Sequence, residues 1–222
     1  ATQVIARLEG VLGGTAVTSE ESPEQTLLCE AIAAAARADV VFHGAFGNAP
    51  VLSNQAITIR DLFALVPYEN GIVVANLTPS EIRDVLDGLV EWWGSSQFAF
   101  PYGVRARLDV EGLPGERVIS LHDLNGKPMP PTNRYRVAFN SYMAASGGQR
   151  HARLRALIDQ HTPPDGVTGT TRDALAMYLL SQGTYTQRVV RCIEHIVHAP
   201  GRFAPVTAAT VLQPGPLRLV EF

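Results

Sequence analysis

The chain has 222 residues, of which 46% are hydrophobic and 18% charged, with a formal net charge of −3. That composition can bury a sizeable core and excludes wholesale disorder, while the slight negative charge and the lack of any Lys/Arg run exclude a surface built for polymeric nucleic acid. No apolar run approaches the roughly 20 residues of a membrane helix, so a soluble chain is expected. The start, Ala1-Thr2-Gln3-Val4-Ile5, carries no visible signal-peptide pattern and leaves the compartment unread.

Residues 4–12 read as a strand or arm leading into a Gly/Thr/Ser-rich connector. Ser22-Pro23-Glu24 then supplies an N-cap, a proline at the first helical position and an acidic first turn, which predicts a helix to about Ala36. Residues 38–44 form a short apolar run ended by glycine, as a buried strand would, and a loop with Gly44, Gly47, Asn48 and Pro50 follows. Residues 58–66 have a Thr cap and helical spacing, and Pro67 ends them. Residues 71–77 read as a strand. Thr78-Pro79-Ser80-Glu81 opens an amphipathic helix with Ile82, Val85, Leu86, Leu89 and Val90 on one face.

Residues 104–110 alternate apolar and charged side chains, the mark of a half-buried strand. Two more strands are predicted at 118–121 and 135–139, with a Leu124-Asn125-Gly126-Lys127-Pro128 turn between them. Residues 150–160, 171–182 and 185–198 read as helices, and the proline-punctuated tail from Pro200 is expected to wrap the surface. With no internal repeat or clear linker, a single α+β domain is expected over 1–222, its core about 4–203 and its tail 204–222.

Several catalytic signatures are missing: no Gly-x-Ser-x-Gly elbow, no P-loop, and no Gly-x-Gly-x-x-Gly opening a helix. The histidines at 43, 122, 151, 161, 195 and 198 are too scattered to form an evident two-metal set. Cys192, His195 and His198 are spaced three apart, but on a helix the outer two diverge, so histidines facing water at a helix end weigh against a metal site. Cys29 and Cys192 read either as buried thiols or as one long-range disulfide.

Two aromatic segments remain. In Val66-Pro67-Tyr68-Glu69-Asn70 a tyrosine stands beside an amide, and in Asn140-Ser141-Tyr142-Met143-Ala144-Ala145-Ser146-Gly147-Gly148 a tyrosine leads into glycines that permit positive φ or close approach to a ligand. Each alone fits core or turn chemistry. Brought together, two rings can stack a flat base, at about 1 to 3 kcal/mol per ring.

These segments lie within an ordered series of blocks that resembles the C-terminal domain of the 5′-nucleotidase family. The series includes Ala38-Asp39-Val40-Val41, His43-Gly44-Ala45-Phe46-Gly47-Asn48, Ile57-Thr58-Ile59-Arg60-Asp61-Leu62 and Pro67-Tyr68-Glu69-Asn70. It continues through Leu77-Thr78-Pro79-Ser80-Glu81-Ile82, Tyr102-Gly103-Val104-Arg105, the segment from Asn140 to Gln149 and the closing Pro200-Gly201-Arg202-Phe203. The resemblance implies a four-layer α/β/β/α sandwich that follows a metallophosphoesterase domain and presents the nucleoside to it. Divalent metals and catalysis would belong to that N-terminal domain, leaving this chain with no cofactor and no hydrolysis of its own. A periplasmic or extracellular location is implied as well.

By position in the resemblance, Tyr68 and Tyr142 stand where two phenylalanines clamp the base and Asn70 where an asparagine contacts it. Asn48, Gly147, Gly148 and Gln149 fall in the neighbouring substrate-binding loops. The chain departs from the family where a loop arginine is absent near Asn48 and where Gln149 replaces an aspartate. Each lost group removes charge-assisted hydrogen bonds of about 1.5 to 3 kcal/mol, which argues for altered or weakened nucleotide binding. A structural or interaction module without nucleotide binding is the alternative.

Overall fold

The computed structural model describes residues 3–14, 20–44, 50–148 and 150–198. Among these residues it contains six helices and four sheets. The chain begins with β1 (Val4–Glu9) and β2 (Val11–Leu12), then enters α1 (Pro23–Ala36). The Ser22 hydroxyl accepts from the Gln25 amide and so takes one of the donors that a helix start leaves unpaired. Arg37, in the left-handed region at φ 50°, closes the other end.

Strand β3 (Val40–His43) leads to β4 (Leu52–Ser53), β5 (Ala56–Thr58) and α2 (Ile59–Leu65). Then come β6 (Gly71–Leu77), α3 (Pro79–Val90), β7 (Phe100–Tyr102), β8 (Val104–Leu108) and β9 (Val118–Asp123). Helix α3 starts on a reciprocal capping box: the Thr78 amide donates to the Glu81 carboxylate and the Glu81 amide to the Thr78 hydroxyl. Its predicted face of Ile82, Val85, Leu86, Leu89 and Val90 is buried throughout. The remaining elements are β10 (Tyr135–Asn140), α4 (Ser141–Ala144), α5 (Ala152–His161), β11 (Val167–Thr170), α6 (Thr171–Gln182), β12 (Thr184–Thr186) and β13 (Ile193–His195).

A five-stranded sheet in the order β11-β6-β10-β3-β7 divides the protein. Its central strands are apolar on both faces, and the period-two alternation sorts them between two cores. Val40, Phe42, Ala75, Leu77, Val137 and Phe139 join the core under α3, α5 and the β13-β8-β9 sheet. On the opposite face Val41, Ile72, Val74 and Ala138 meet α1, α2, α6 and the β12-β1-β5 sheet. The chain is thus a mixed α+β fold, as its pattern of elements predicts.

One expectation is corrected. Residues 185–198 are extended rather than helical. Gly183 at φ 65° ends α6, and Tyr185, almost wholly buried, pairs with Leu8 in a parallel β12–β1 ladder. The amides of Cys192 and Ile193, which a helix would pair internally, donate instead to the buried Glu21 carboxylate at 2.8 Å each. Strands β9 and β10 form on either side of the predicted turn, but in different sheets. Strand β9 joins β8, whereas β10, apolar on both faces, is drawn into the central sheet between β6 and β3. The closing block at 200–203 and the tail lie outside the described residues.

Cys29 and Cys192 are buried free thiols that border one small cavity. Burial pushes both thiols up, Cys192 to about 12, which keeps them protonated and unreactive. Cys192, His195 and His198 do not converge. His198 Nε2 meets Asp109 Oδ1 at 2.8 Å, while the His195 ring packs 5.3 Å from that of Trp93. Among the described residues no group of three His, Cys, Asp or Glu side chains is placed to hold a metal ion.

Candidate functional site

Antiparallel pairing of β6 with β10 brings the two aromatic segments together. Strand β6 begins at Gly71, one residue after Asn70, and β10 ends at Asn140, two residues before Tyr142; the register places Asn140 opposite Ile72. Two capping interactions then fix the corner. The Asn140 side chain accepts from the Met143 amide at 2.8 Å and starts the short α4, and the Ser141 hydroxyl accepts from the Gly71 amide at 3.0 Å.

The Tyr68 side is held by α6. The Arg172 guanidinium donates through Nε and Nη2 to the Val66 carbonyl at 3.2 and 3.0 Å, and lies 4.1 Å from the centre of the Phe63 ring. The Thr171 amide donates to the Asn70 carbonyl at 2.8 Å. The turn after Pro67 is thereby tied down while Tyr68 stays 63% exposed; Tyr142 is 52% exposed.

Both tyrosines line one cleft of about 880 Å³, together with Asn70, Phe63, His43 and His151. Its volume suits a drug-sized or nucleoside-sized molecule. Among the described residues the lining contains no Asp, Glu, Lys or Arg. The two histidines are held below their ordinary value, chiefly by burial. In His43 the Gly44 carbonyl opposes that effect, and in His151 the Arg150 charge adds to it. His43 Nδ1 donates to that carbonyl at 2.6 Å, which fixes the proton on Nδ1. The cleft therefore presents aromatic faces, amides and neutral imidazoles, a set suited to a flat, uncharged heterocycle with hydrogen-bonding edges.

Gly147 and Gly148 lie outside the cleft lining and behind Tyr142. Both have positive φ, 52° and 74°, and a Cβ on Gly147 would come within 2.8 Å of the His151 ring. They let the chain double back so that His151 reaches the cleft. Asn48 and Gln149 lie outside the described residues. Sequence reasoning overlooked Phe63, His43, His151 and Arg172. Phe63 had a readable signal: it is a large apolar residue off the buried Leu62/Leu65 stripe of α2. His43 closes a strand that reads as plain core, and Arg172 carries no local signal.

The model of the 5′-nucleotidase C-terminal domain matches residues 4–153. The chain belongs to the 5′-nucleotidase C-terminal domain family. A probable 5′-nucleotidase of Treponema pallidum (strain Nichols) is 29% identical over 119 residues, covering 50% of this chain and 20% of that protein. Among solved structures, a 5′-nucleotidase precursor from Thermus thermophilus superposes with a TM-score of 0.75 at 22% identity, over 89% of this chain and 40% of that one. The sulfate thiohydrolase SoxB of the same species superposes with a TM-score of 0.70 at 23% identity, over 89% of this chain and 36% of that one. The chain thus spans well under half the length of these relatives. Proteins that share this fold bear names for different substrates, so the fold alone does not decide the ligand.

Proposed function

We propose that this chain is the substrate-recognition domain of a 5′-nucleotidase-like metallophosphoesterase, taking the base of a nucleoside or nucleotide between Tyr68 and Tyr142. The observation that carries the proposal is the convergence of two exposed tyrosines and Asn70 on one cleft, from segments remote in sequence, without a charged group in the described lining. Stacking on the two rings supplies affinity for any base, about 1 to 3 kcal/mol per ring. The Asn70 amide, able both to donate and to accept, reads the heterocycle edge. Asn48, Gly147, Gly148 and Gln149 complete the proposed substrate-binding set.

Hydrolysis would reside in an N-terminal metallophosphoesterase domain of the same protein, which holds the divalent metals, and this chain would be inactive alone. Nucleotide breakdown in the periplasm or outside the cell is the corresponding role. Among the described residues no helix is long and apolar enough to cross a membrane.

Calorimetry with adenosine and uridine on the intact chain tests the recognition role. Binding is expected, and Tyr68→Ala and Tyr142→Ala should each weaken it by roughly one to two orders of magnitude, the equivalent of one stacked ring. No heat at millimolar nucleoside would favour a structural or interaction module instead. Turnover of AMP by this chain with Mn²⁺, abolished in Tyr68→Ala, would refute its assignment as non-catalytic.

A further inference from the structure

The cleft runs along one end of the five-stranded sheet. Asn70 precedes the first residue of β6, Asn140 is the last of β10, His43 the last of β3, and Phe100 the first of β7. The registers join these ends in a row: Ile72 pairs with Asn140, Phe139 with Phe42, and His43 with Phe100. With neighbouring strands about 4.8 Å apart, β6 and β7 stand roughly 14 Å from each other. Tyr68, Asn70 and Tyr142 therefore belong to the β6–β10 half of the cleft, whereas Ser96, Gln97 and Ala99 line its β7 end. That end is built on a fixed turn. The Ser95 hydroxyl donates to the Trp92 carbonyl at 2.7 Å and accepts from the Gln97 backbone N–H at 3.2 Å. Phe98, buried, meets the Trp93 and Phe100 rings edge-on, each at 4.8 Å between centres. A Cβ on Gly44 would lie 3.2 Å from the Phe98 carbonyl oxygen, so the glycine lets this turn sit close against the end of β3. Gln97 itself is exposed, and among the described residues no hydrogen bond engages its side-chain amide.

We propose that Gln97 is a second specificity-determining residue of the cleft, one that hydrogen-bonds the exocyclic amino or oxo group of a purine stacked between Tyr68 and Tyr142. The inference rests on the reading of the cleft as a base clamp and deepens it: the preferred ligands are purine nucleosides bearing such a group, over pyrimidine nucleosides. Three features support this. With Asn70 at one edge of the base, the opposite edge points along the sheet end toward β7, and the fused second ring of a purine lets the base reach farther that way than a single pyrimidine ring. A side-chain amide offers an N–H donor and a carbonyl acceptor, so a half-turn of its last torsion serves an amino and an oxo group equally. The Gln97 backbone is already held by Ser95 and Phe98, which leaves only side-chain freedom to be lost on binding.

The test is isothermal calorimetry on the full chain with adenosine, inosine, uridine and purine riboside, the last of which lacks the exocyclic group. Adenosine and inosine are each expected to bind about fivefold more tightly than purine riboside, the worth of one uncharged hydrogen bond. In Gln97→Ala that ratio should fall to near one while uridine and purine riboside bind as before. In Gln97→Glu, whose carboxylate can only accept, the advantage of adenosine should remain and that of inosine should be lost. If the intact chain binds adenosine and purine riboside equally, and Tyr68→Ala weakens both, this inference fails while the base clamp stands. If Gln97→Ala weakens all four ligands by the same factor, Gln97 only shapes the wall and the inference fails. If the intact chain binds none of the four, the clamp fails and the inference with it.

Discussion

The Ser141 hydroxyl accepts a hydrogen bond of 3.0 Å from the Gly71 amide, joining residues 70 apart in sequence at the mouth of the aromatic cleft. Each is one residue from a proposed ligand contact, Ser141 next to Tyr142 and Gly71 next to Asn70. Ser141→Ala leaves that amide without its partner and should cost about 1 kcal/mol of stability. The denaturation midpoint should fall with the slope unchanged. Nucleoside affinity should weaken several-fold as the two segments loosen, and unchanged affinity would mean that the strand register alone positions the rings.

Arg172 fastens the other side of the cleft through the Val66 carbonyl and the Phe63 ring. Arg172→Ala should lower stability by about 1 kcal/mol and weaken nucleoside binding, because the Pro67-Tyr68 turn loses its tether. Arg172→Lys should recover little, since a point charge cannot both fork onto the carbonyl and lie flat on the ring. Calorimetry beside chemical denaturation separates the two losses.

Acid should weaken the protein through the cleft histidines. Burial holds His43 and His151 below the ordinary value of 6.5; the Gly44 carbonyl opposes this at His43, and at His151 Arg150 reinforces it while Glu91 opposes it. Below 6.5 the unfolded chain therefore binds more protons than the native one. The stability contributed by the neutral rings is complete above that value and is lost as pH falls through the lower native values. Urea midpoints should drop between pH 7 and pH 5, and His151→Gln should flatten part of that limb. An identical acid limb in the variant would show that His151 does not contribute.

Glu30, 8% exposed, anchors the C-terminal segment to α1 by accepting from Arg188 Nε at 2.7 Å and Nη2 at 2.8 Å, with the Tyr178 and Tyr185 hydroxyls adding longer contacts. Glu30→Gln removes the charge opposite a guanidinium whose own side chain is 47% exposed. A loss of about 2 kcal/mol is expected, below the cost of breaking a fully buried pair because water reaches the arginine. Amide hydrogen exchange should quicken in residues 184–195 before it does in the central sheet. Uniform exchange throughout would count against a locally anchored segment.

Local chemistry alone determined most of the elements. Ser22-Pro23, the Thr78/Glu81 box and Gly183 mark helix ends through hydrogen bonds made within four residues, so 23–36, 79–90 and 171–182 are helices on sequence grounds. The two tyrosine segments stood out for the same reason, since each carries its aromatic ring, amide and turn residues in one short stretch. Other features depended on partners remote in sequence. Residues 184–195 are extended because Glu21, Glu30 and strand β1, all more than 150 residues earlier, satisfy their backbone and charge. Strand β10 turns away from β9 because only a central position buries both its faces. Phe63, His43 and His151 reach the cleft from separate parts of the chain, with Arg172 bracing Phe63 from α6, and no local pattern records such a meeting. The sequence by itself determined where the two rings lie along the chain; the antiparallel β6–β10 register, set by two-sided burial, decided that they share a cleft.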